Sequence, residues 1–284
     1  MITVVLPAFN EKEAIAETIR GIRSTLEQAS IKSFEILVID DGSADGTGAL
    51  AESEGARVIR HPENIGYGRS LKDGIEAARN DTIVITDADG SYPVDRIPDL
   101  LREYEKGFDM VVGARQNHRD WFGKALMRRA LRWLVEYTAG RRIPDVNSGL
   151  RVFSRRESIP HFNTLCDTFS FTTSLTLAYA MSSRFVAYVP IEYKARKGRS
   201  KIRLFSDSAK TLQYIIQTII YHNPLKIFLL FSVICVLLAT IGFVGSATLG
   251  LQSGFLLGIG GLLVALLVFS LGLLADLLKQ ILEK

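Results

Sequence analysis

Between Lys226 and Asp276 the chain carries no charged residue. A helix needs about 20 mostly apolar residues to cross a bilayer core, and the cores of soluble proteins do not run this long without a charge. The stretch predicts two membrane spans, near 225–246 and 254–277, parted by the more polar turn SATLGLQSG. Lysines and arginines precede the first span and follow the second (Lys279, Lys284), while the turn has none. That asymmetry predicts that both termini, and the long segment ahead of the spans, lie on the cytoplasmic side. The chain opens on MITVVLPAFN, which reads as a strand with no basic segment before it, so no signal peptide is expected. Two cysteines, Cys166 and Cys235, do not make a disulfide framework and suit a reducing compartment.

The first two thirds read differently. ITVVLPAF, FEILVID, RVIRH, DTIVI and DMVVGAR are short apolar runs. Between them lie segments with helical spacing, such as EKEAIAETIRGIRSTLEQA and GRSLKDGIEAAR. Alternating strands and helices predict an α/β domain whose mostly parallel sheet is covered on both faces. Ligands of such sheets bind beyond the carboxyl ends of the strands. The loops PAFNE, DDGSADGT, DADGS and GAR each follow a strand, so they are expected to meet at one rim. After Arg115 the alternation weakens. KALMRRALRWLVEYTAG is a basic amphipathic helix, and RLFSDSAKTLQYIIQTIIYH has a broad apolar face suited to lying along a membrane surface.

Two acids one residue apart, Asp87 and Asp89, follow the apolar strand TIVI. Like charges this close repel unless they share a cation. Carboxylate oxygens suit Mg²⁺ or Mn²⁺, which commonly bridge one or two carboxylates to substrate phosphates. Asp40 and Asp41 end the preceding long strand and lead into a glycine-rich turn, where a nucleotide's ribose or base would find acceptors. No Walker loop and no dinucleotide fingerprint is present. Arg115, Arg119, Lys124, Arg128, Arg129 and Arg132 form one basic group; Arg196, Lys197, Arg199, Lys201 and Arg203 form another. Each basic residue near an anionic leaflet contributes about 1 kcal/mol of attraction. A few are expected to bind a phosphate instead, since arginine's fork matches its oxygens. The four histidines lack metal-ligand spacing.

Seven segments in order, VVLPAFNE, VIDDGSADGT, NIGYGRSLKDGI, TDADGSYP, VVGAR, VNSGLRVFSR and RKGRSK, resemble the family 2 glycosyltransferases of GT-A fold. Within that family they are most similar to the polyprenyl-phosphate sugar transferases of the dolichyl-phosphate mannose synthase type. The resemblance implies a GT-A catalytic domain over 1–202, an amphipathic juxtamembrane helix over 203–223 and two transmembrane helices over 224–278. It implies inverting transfer of a sugar from a nucleotide donor, GDP-mannose or a UDP-hexose, to dolichyl or undecaprenyl phosphate, with Mg²⁺ or Mn²⁺. Pro7, Phe9, Glu11, Val38 and Asp40 match donor base and ribose positions, with Phe9 where a tyrosine is frequent. Asp87, Ala88 and Asp89 match the metal and diphosphate motif; Ser91 stands where the type enzyme has a glutamine ligand. Arg115, Arg128, Ser148, Arg196 and Lys201 fall at positions expected near the acceptor phosphate. The chemical step is assigned to Asp89 and Arg115, with Asp145 as a base or as an organiser of its loop. A phosphate acceptor, already anionic near neutral pH, does not require a base. The expected partners are the donor, the lipid phosphate and the bilayer, with no nucleic acid. The small-residue stretches GIGG and GFVGSATLG are expected to suit packing against other copies. Two other readings stay open on the residues alone. One is a transferase of the same fold acting on a soluble or polysaccharide acceptor; the other is a membrane-anchored nucleotide-sugar binding module without turnover.

Overall fold

The structure, a computed structural model, describes residues 1–116, 122–194, 213, 215–221, 223–250 and 252–282. It divides into two compact units, Met1–Ile215 and Ile216–Lys284. The expected juxtamembrane helix lies mostly outside the described residues; 213 and 215–221 are helical.

The first unit is built on seven strands: β1 Ile2–Ala8, β2 Phe34–Asp40, β3 Arg57–Arg60, β4 Thr82–Ile85, β5 Met110–Arg115, β6 Arg151–Ser154 and β7 Val186–Ile191. Their order is β3-β2-β1-β4-β6-β5-β7. β1 pairs parallel with β2 and β4, β2 with β3, and β5 with β7. β6 alone runs against its neighbours β4 and β5. Strand order reverses between β1 and β4, the switch point at which such sheets open a crevice for ligands.

Helices cover both faces because successive side chains of the strands point to opposite sides. Val4, Leu6, Ile36, Val38, Val84 and Val111 pack with Ile15, Ile19, Ile22 and Leu26 of helix α1 (Ile15–Gln28). Ala51 of α2 (Thr47–Ser53) and Leu100 of α4 (Ile97–Tyr104) join the same face. On the opposite face Val5, Leu37, Ile39, Ile83, Ile85 and Val112 pack with Leu71 and Ile75 of α3 (Tyr67–Ala77). Beyond β5 come the basic helix α5 (Phe122–Ala139), the one-turn α6 (Arg155–Ser158) and α7 (Phe171–Met181). Phe171, Leu175, Ala178 and Tyr179 of α7 complete that second core.

The second unit holds α8 (Pro224–Leu249) and α9 (Gln252–Leu282), both long and apolar enough to cross a membrane. Leucines, isoleucines and phenylalanines such as Phe231, Leu237, Leu266 and Leu267 lie on their outer faces. The turn is shorter than the sequence predicts. Ser246, Ala247 and Thr248 stay helical, and the helix stops at Gly250 in the left-handed conformation. Where no water can satisfy the backbone, hydroxyl residues do better inside a helix than in a loop. Thr240 and Thr248 do so by donating to the carbonyls of Val236 and Val244. The two helices meet through small residues: a Cβ on Gly242 would lie 2.8 Å from the Gly254 carbonyl oxygen and 2.9 Å from the Gly258 nitrogen. Ser232 adds a buried hydrogen bond to the Ala265 carbonyl. Gly242→Leu is therefore expected to destabilise the hairpin by about 1–3 kcal/mol. Thermal unfolding in detergent would report it, with nucleotide affinity unchanged.

Candidate active site

The rim is assembled by loops that are tied to one another rather than left to solvent. Asn10, at φ 51°, follows β1 and is gripped by the turn after β2. Its backbone N–H donates to Ser43 Oγ and its side-chain oxygen accepts from the Ala44 N–H. The N–H groups of Glu11 and Lys12 donate to Thr47 Oγ1 and Asp45 Oδ2. This zipper brings Phe9, Glu11 and Asp40 to the same edge. Phe9 and Glu11 are half-buried. Asp40 is buried and accepts the Ser43 N–H at 3.0 Å. Asp41 is a loop organiser: its carboxylate accepts the N–H groups of Ile65 and Gly66 and pairs with His61.

Pro7, Val38 and Ala88 are buried. Val38 and Ala88 are core residues, packed against α1 and α4.

Asp87 and Asp89 leave β4 at the switch point. The Tyr67 hydroxyl, at the start of α3, donates to Asp87 Oδ1 at 2.9 Å. Burial, together with the Asp87 charge, holds that phenol protonated. Asp89 is buried, and its Oδ1 accepts both the N–H (3.0 Å) and the hydroxyl (2.6 Å) of Ser91. Ser91 is fully buried and spends its proton on Asp89. That hydroxyl helps set the carboxylate's angle. Among the described residues no three acids, histidines or cysteines converge on a metal position. The chemistry of the pair still fits one hard divalent cation that completes its shell with phosphate oxygens.

Arg115 ends β5. Its Nε and Nη2 donate to Asp145 Oδ2 and Oδ1 at 2.7 and 3.0 Å, and its guanidinium lies 5.4 Å from the centre of the Tyr193 ring. Asp145 also accepts the backbone N–H groups of Arg115 and Asn147. Burial pulls this carboxyl upward, but the bonds and charge of Arg115 outweigh it and hold it below the usual aspartate value. A carboxylate filled by four donors and pinned to an arginine is a poor proton acceptor. The assignment of Asp145 as a base gives way to that of a partner for Arg115.

Ser148 is fully buried in the 145–149 loop, and its hydroxyl has no hydrogen-bond partner among the described residues. Gly149 fits closely: a Cβ there would lie 2.9 Å from Asp87 Oδ1, and its N–H donates to the Tyr92 hydroxyl at 2.6 Å. Tyr92 in turn meets Tyr193 edge-on. So Asp87, the 145–149 loop and Arg115 share one set of aromatic supports. Tyr67, Tyr92 and Tyr193 were not anticipated from sequence. The first two sit inside the segments NIGYGRS and DADGSYP, which is the signal that marked their neighbours. Arg128 lies on α5, but its side chain is not described, and Arg196 and Lys201 lie outside the described residues.

A mostly parallel sheet with a paired-aspartate loop at its switch point is the architecture of the GT-A nucleotide-sugar transferases, and this protein is a glycosyltransferase. It belongs to glycosyl transferase family 2, whose model matches residues 3–162. It is similar to the undecaprenyl-phosphate 4-deoxy-4-formamido-L-arabinose transferase of Enterobacter sp. (strain 638), with 31% identity over 87% of this chain and 75% of that one. The enzyme of the same name from Salmonella choleraesuis (strain SC-B67) is 29% identical over 83% and 72%. Among solved structures, glucosyl-3-phosphoglycerate synthase from Mycobacterium tuberculosis superposes with a TM-score of 0.64 at 23% identity, covering 77% of this chain and 79% of that one. The same synthase in complex with Mn²⁺, UDP and phosphoglyceric acid gives 0.63 at 22%. These structures share the fold. With its two apolar helices, the chain is a membrane-associated member of the family.

Removing the Tyr67 hydroxyl takes one hydrogen-bond donor away from Asp87. A net hydrogen bond is worth about 1 kcal/mol, so Tyr67→Phe is expected to lower kcat/KM about fivefold with no loss of folding. Steady-state kinetics beside a melting curve would check it.

Proposed function

We propose that this enzyme transfers a sugar, with inversion, from a nucleoside-diphosphate donor to a polyprenyl phosphate, giving a lipid-linked monosaccharide. The observation that carries the reading is the pairing of a diphosphate-type acid loop, Asp87 and Asp89, with two membrane-length helices. The relatives named for undecaprenyl-phosphate transfer support the acceptor. The domain assignment follows: catalytic domain 1–202, juxtamembrane helix 203–223, spans 224–278, with the catalytic domain and both termini cytoplasmic.

Phe9, Glu11 and Asp40 take the nucleoside, with Phe9 stacking on the base. Asp87 and Asp89 hold the cation, whose charge stabilises the departing nucleoside diphosphate when bound; complexes of the mycobacterial synthase with Mn²⁺ and with Mg²⁺ support a divalent ion. Arg115, fixed by Asp145 and backed by Tyr193, offers charge to phosphate oxygens. The buried hydroxyl of Ser148 is an acceptor-side group in want of a partner. The incoming phosphate is anionic, so the residues contribute alignment and electrostatic stabilisation rather than proton removal. Arg128, Arg196 and Lys201 are assigned to the acceptor phosphate on the same reading.

Radiolabelled GDP-mannose, UDP-glucose and other UDP-hexoses, each incubated with full-length protein, undecaprenyl phosphate and Mg²⁺ or Mn²⁺, test the proposal. The expected product is a labelled, acid-labile lipid formed only with a divalent ion and one of the donors. Transfer to a soluble acceptor alone, or donor binding with no turnover, would overturn it.

A further inference from the structure

Arg151 is a charge in an unusual place. It is fully buried at the first position of β6. A guanidinium does not give up its proton in a protein, and a buried charge is costly unless it is paired. Yet no carboxylate pairs with Arg151 among the described residues. Every hydrogen bond it makes is to a neutral group: Nε and Nη2 donate to the Ser148 carbonyl, and Nη1 donates to the Thr172 carbonyl and to Thr176 Oγ1, both at 2.9 Å. The sulfur of Met110 is a distant fifth neighbour at 3.8 Å.

Its place in the sheet gives those bonds meaning. Arg151 lies opposite Ile85 of β4 and Val112 of β5. These residues stand two before Asp87 and three before Arg115 in the chain. Because β6 is antiparallel, its beginning lies at the rim where its neighbours end. The guanidinium therefore joins the 145–149 loop to α7, just behind the site. Asn147 repeats the tie, accepting from the hydroxyls of Thr172 and Thr173. On its other side the loop touches Asp87 and Tyr92 through Gly149. A small retreat of the Ser148 carbonyl would swing the Ser148 hydroxyl and loosen the contact with Asp87.

We propose that Arg151 is a positioning residue of the transfer reaction, holding the Ser148 backbone against α7 so that the Ser148 hydroxyl meets the acceptor phosphate. It acts through Ser148 and not on the substrate itself. Its buried charge adds a fixed positive field beneath a site that must receive one phosphate and release another. The proposal rests on the polyprenyl-phosphate reading of the function.

The test uses full-length protein in detergent, undecaprenyl phosphate, and the nucleotide sugar that the wild type turns over. A misplacement of about 1 Å at a reacting group lowers rates about 100-fold. Arg151→Gln is expected to lower kcat/KM for undecaprenyl phosphate by about 30–100-fold and to leave the donor KM within about twofold. Arg151→Lys should recover part of the loss. In a Ser148→Ala background, Arg151→Gln should lower kcat/KM further by no more than about threefold, since effects that act through one group do not add. Thr176→Val, which keeps the charge but removes an acceptor of Arg151 together with that hydroxyl's own bond to the Val146 carbonyl, should change the same acceptor parameter by a few fold while the protein melts as the wild type does. This variant decides the matter if Arg151→Gln does not fold. Additive effects in the double variant, equal changes in donor and acceptor parameters, or unchanged acceptor kinetics in Thr176→Val would overturn the proposal. A wild type that makes no lipid-linked sugar overturns the functional reading instead, before any Arg151 variant is compared.

Discussion

Asp89→Ala, and Asp87→Ala separately, are expected to remove about three orders of magnitude from the transfer rate, the scale seen when a single preorganised electrostatic group is lost. The size follows from how few ligands the site offers. No third acid, histidine or cysteine stands ready among the described residues. On the proposed function, losing either carboxylate would leave the cation with one of its two assigned carboxylate ligands. The two variants should differ in a second property. Asp89 is buried and receives both bonds of Ser91 on one oxygen, so alanine there takes the acceptor from a buried N–H and hydroxyl and costs about 1–3 kcal/mol of stability. Asp87 is more open and accepts the Tyr67 hydroxyl, so its alanine variant should melt closer to the wild type. Titrating transfer with Mn²⁺ separates the effects: the half-saturating concentration should rise in both. Either variant working at the wild-type rate would remove the metal assignment.

The largest effect on stability is expected at Asp145. Truncating one partner of a buried ion pair leaves the other charge uncompensated, at a cost of about 3–5 kcal/mol. Asp145→Ala would do this to Arg115, whose side chain is 15% exposed, against 11% for Asp145. Replacing both with apolar residues of similar size should restore most of the stability and none of the transfer. The pair also sets an acid limit. Asp145 is held below its ordinary value in the folded protein. Its contribution to stability is therefore complete above the unfolded value of about 3.9 and fades as pH falls through the lower folded one. Wild type should lose more stability than Asp145→Asn between about pH 5 and pH 2, measured by chemical denaturation. Near neutrality the pH–rate profile of Asp145→Asn should keep the wild-type shape, because no proton passes through this carboxylate. A lost acidic limb would reinstate it as a base.

Much of the frame was legible because the signals are periodic and local. β1, β2 and β4 announce themselves as unbroken apolar runs, and α1 by its spacing of Ile15, Ile19, Ile22 and Leu26. The acids were legible because each pair ends such a run. β6 was not: RVFS is four residues long, opens on an arginine, and pairs with Thr82–Ile85 far earlier in the chain. The face that Val38 takes was hidden for a related reason. In a strand buried on both sides, Val38 and its neighbours Leu37 and Ile39 look alike in sequence although they face different cores. Asp145 and Arg115 stand thirty positions apart, and only the closed sheet shows that each satisfies the other. Tyr67, Tyr92 and Tyr193 were hidden because a tyrosine's role is set by what its hydroxyl or ring reaches across loops.

The shortness of the link after Gly250 bears on how the protein enters its membrane. Only two residues, Gly250 and Leu251, separate the end of α8 at Leu249 from the start of α9 at Gln252. Nothing bulky or charged has to be carried across the hydrocarbon to complete the pair; Gln252 and Ser253 are the most polar groups at that end. A folded hairpin already satisfies its own backbone, so on the proposed topology the two helices can partition into the bilayer as a unit after the enzyme domain has left the ribosome.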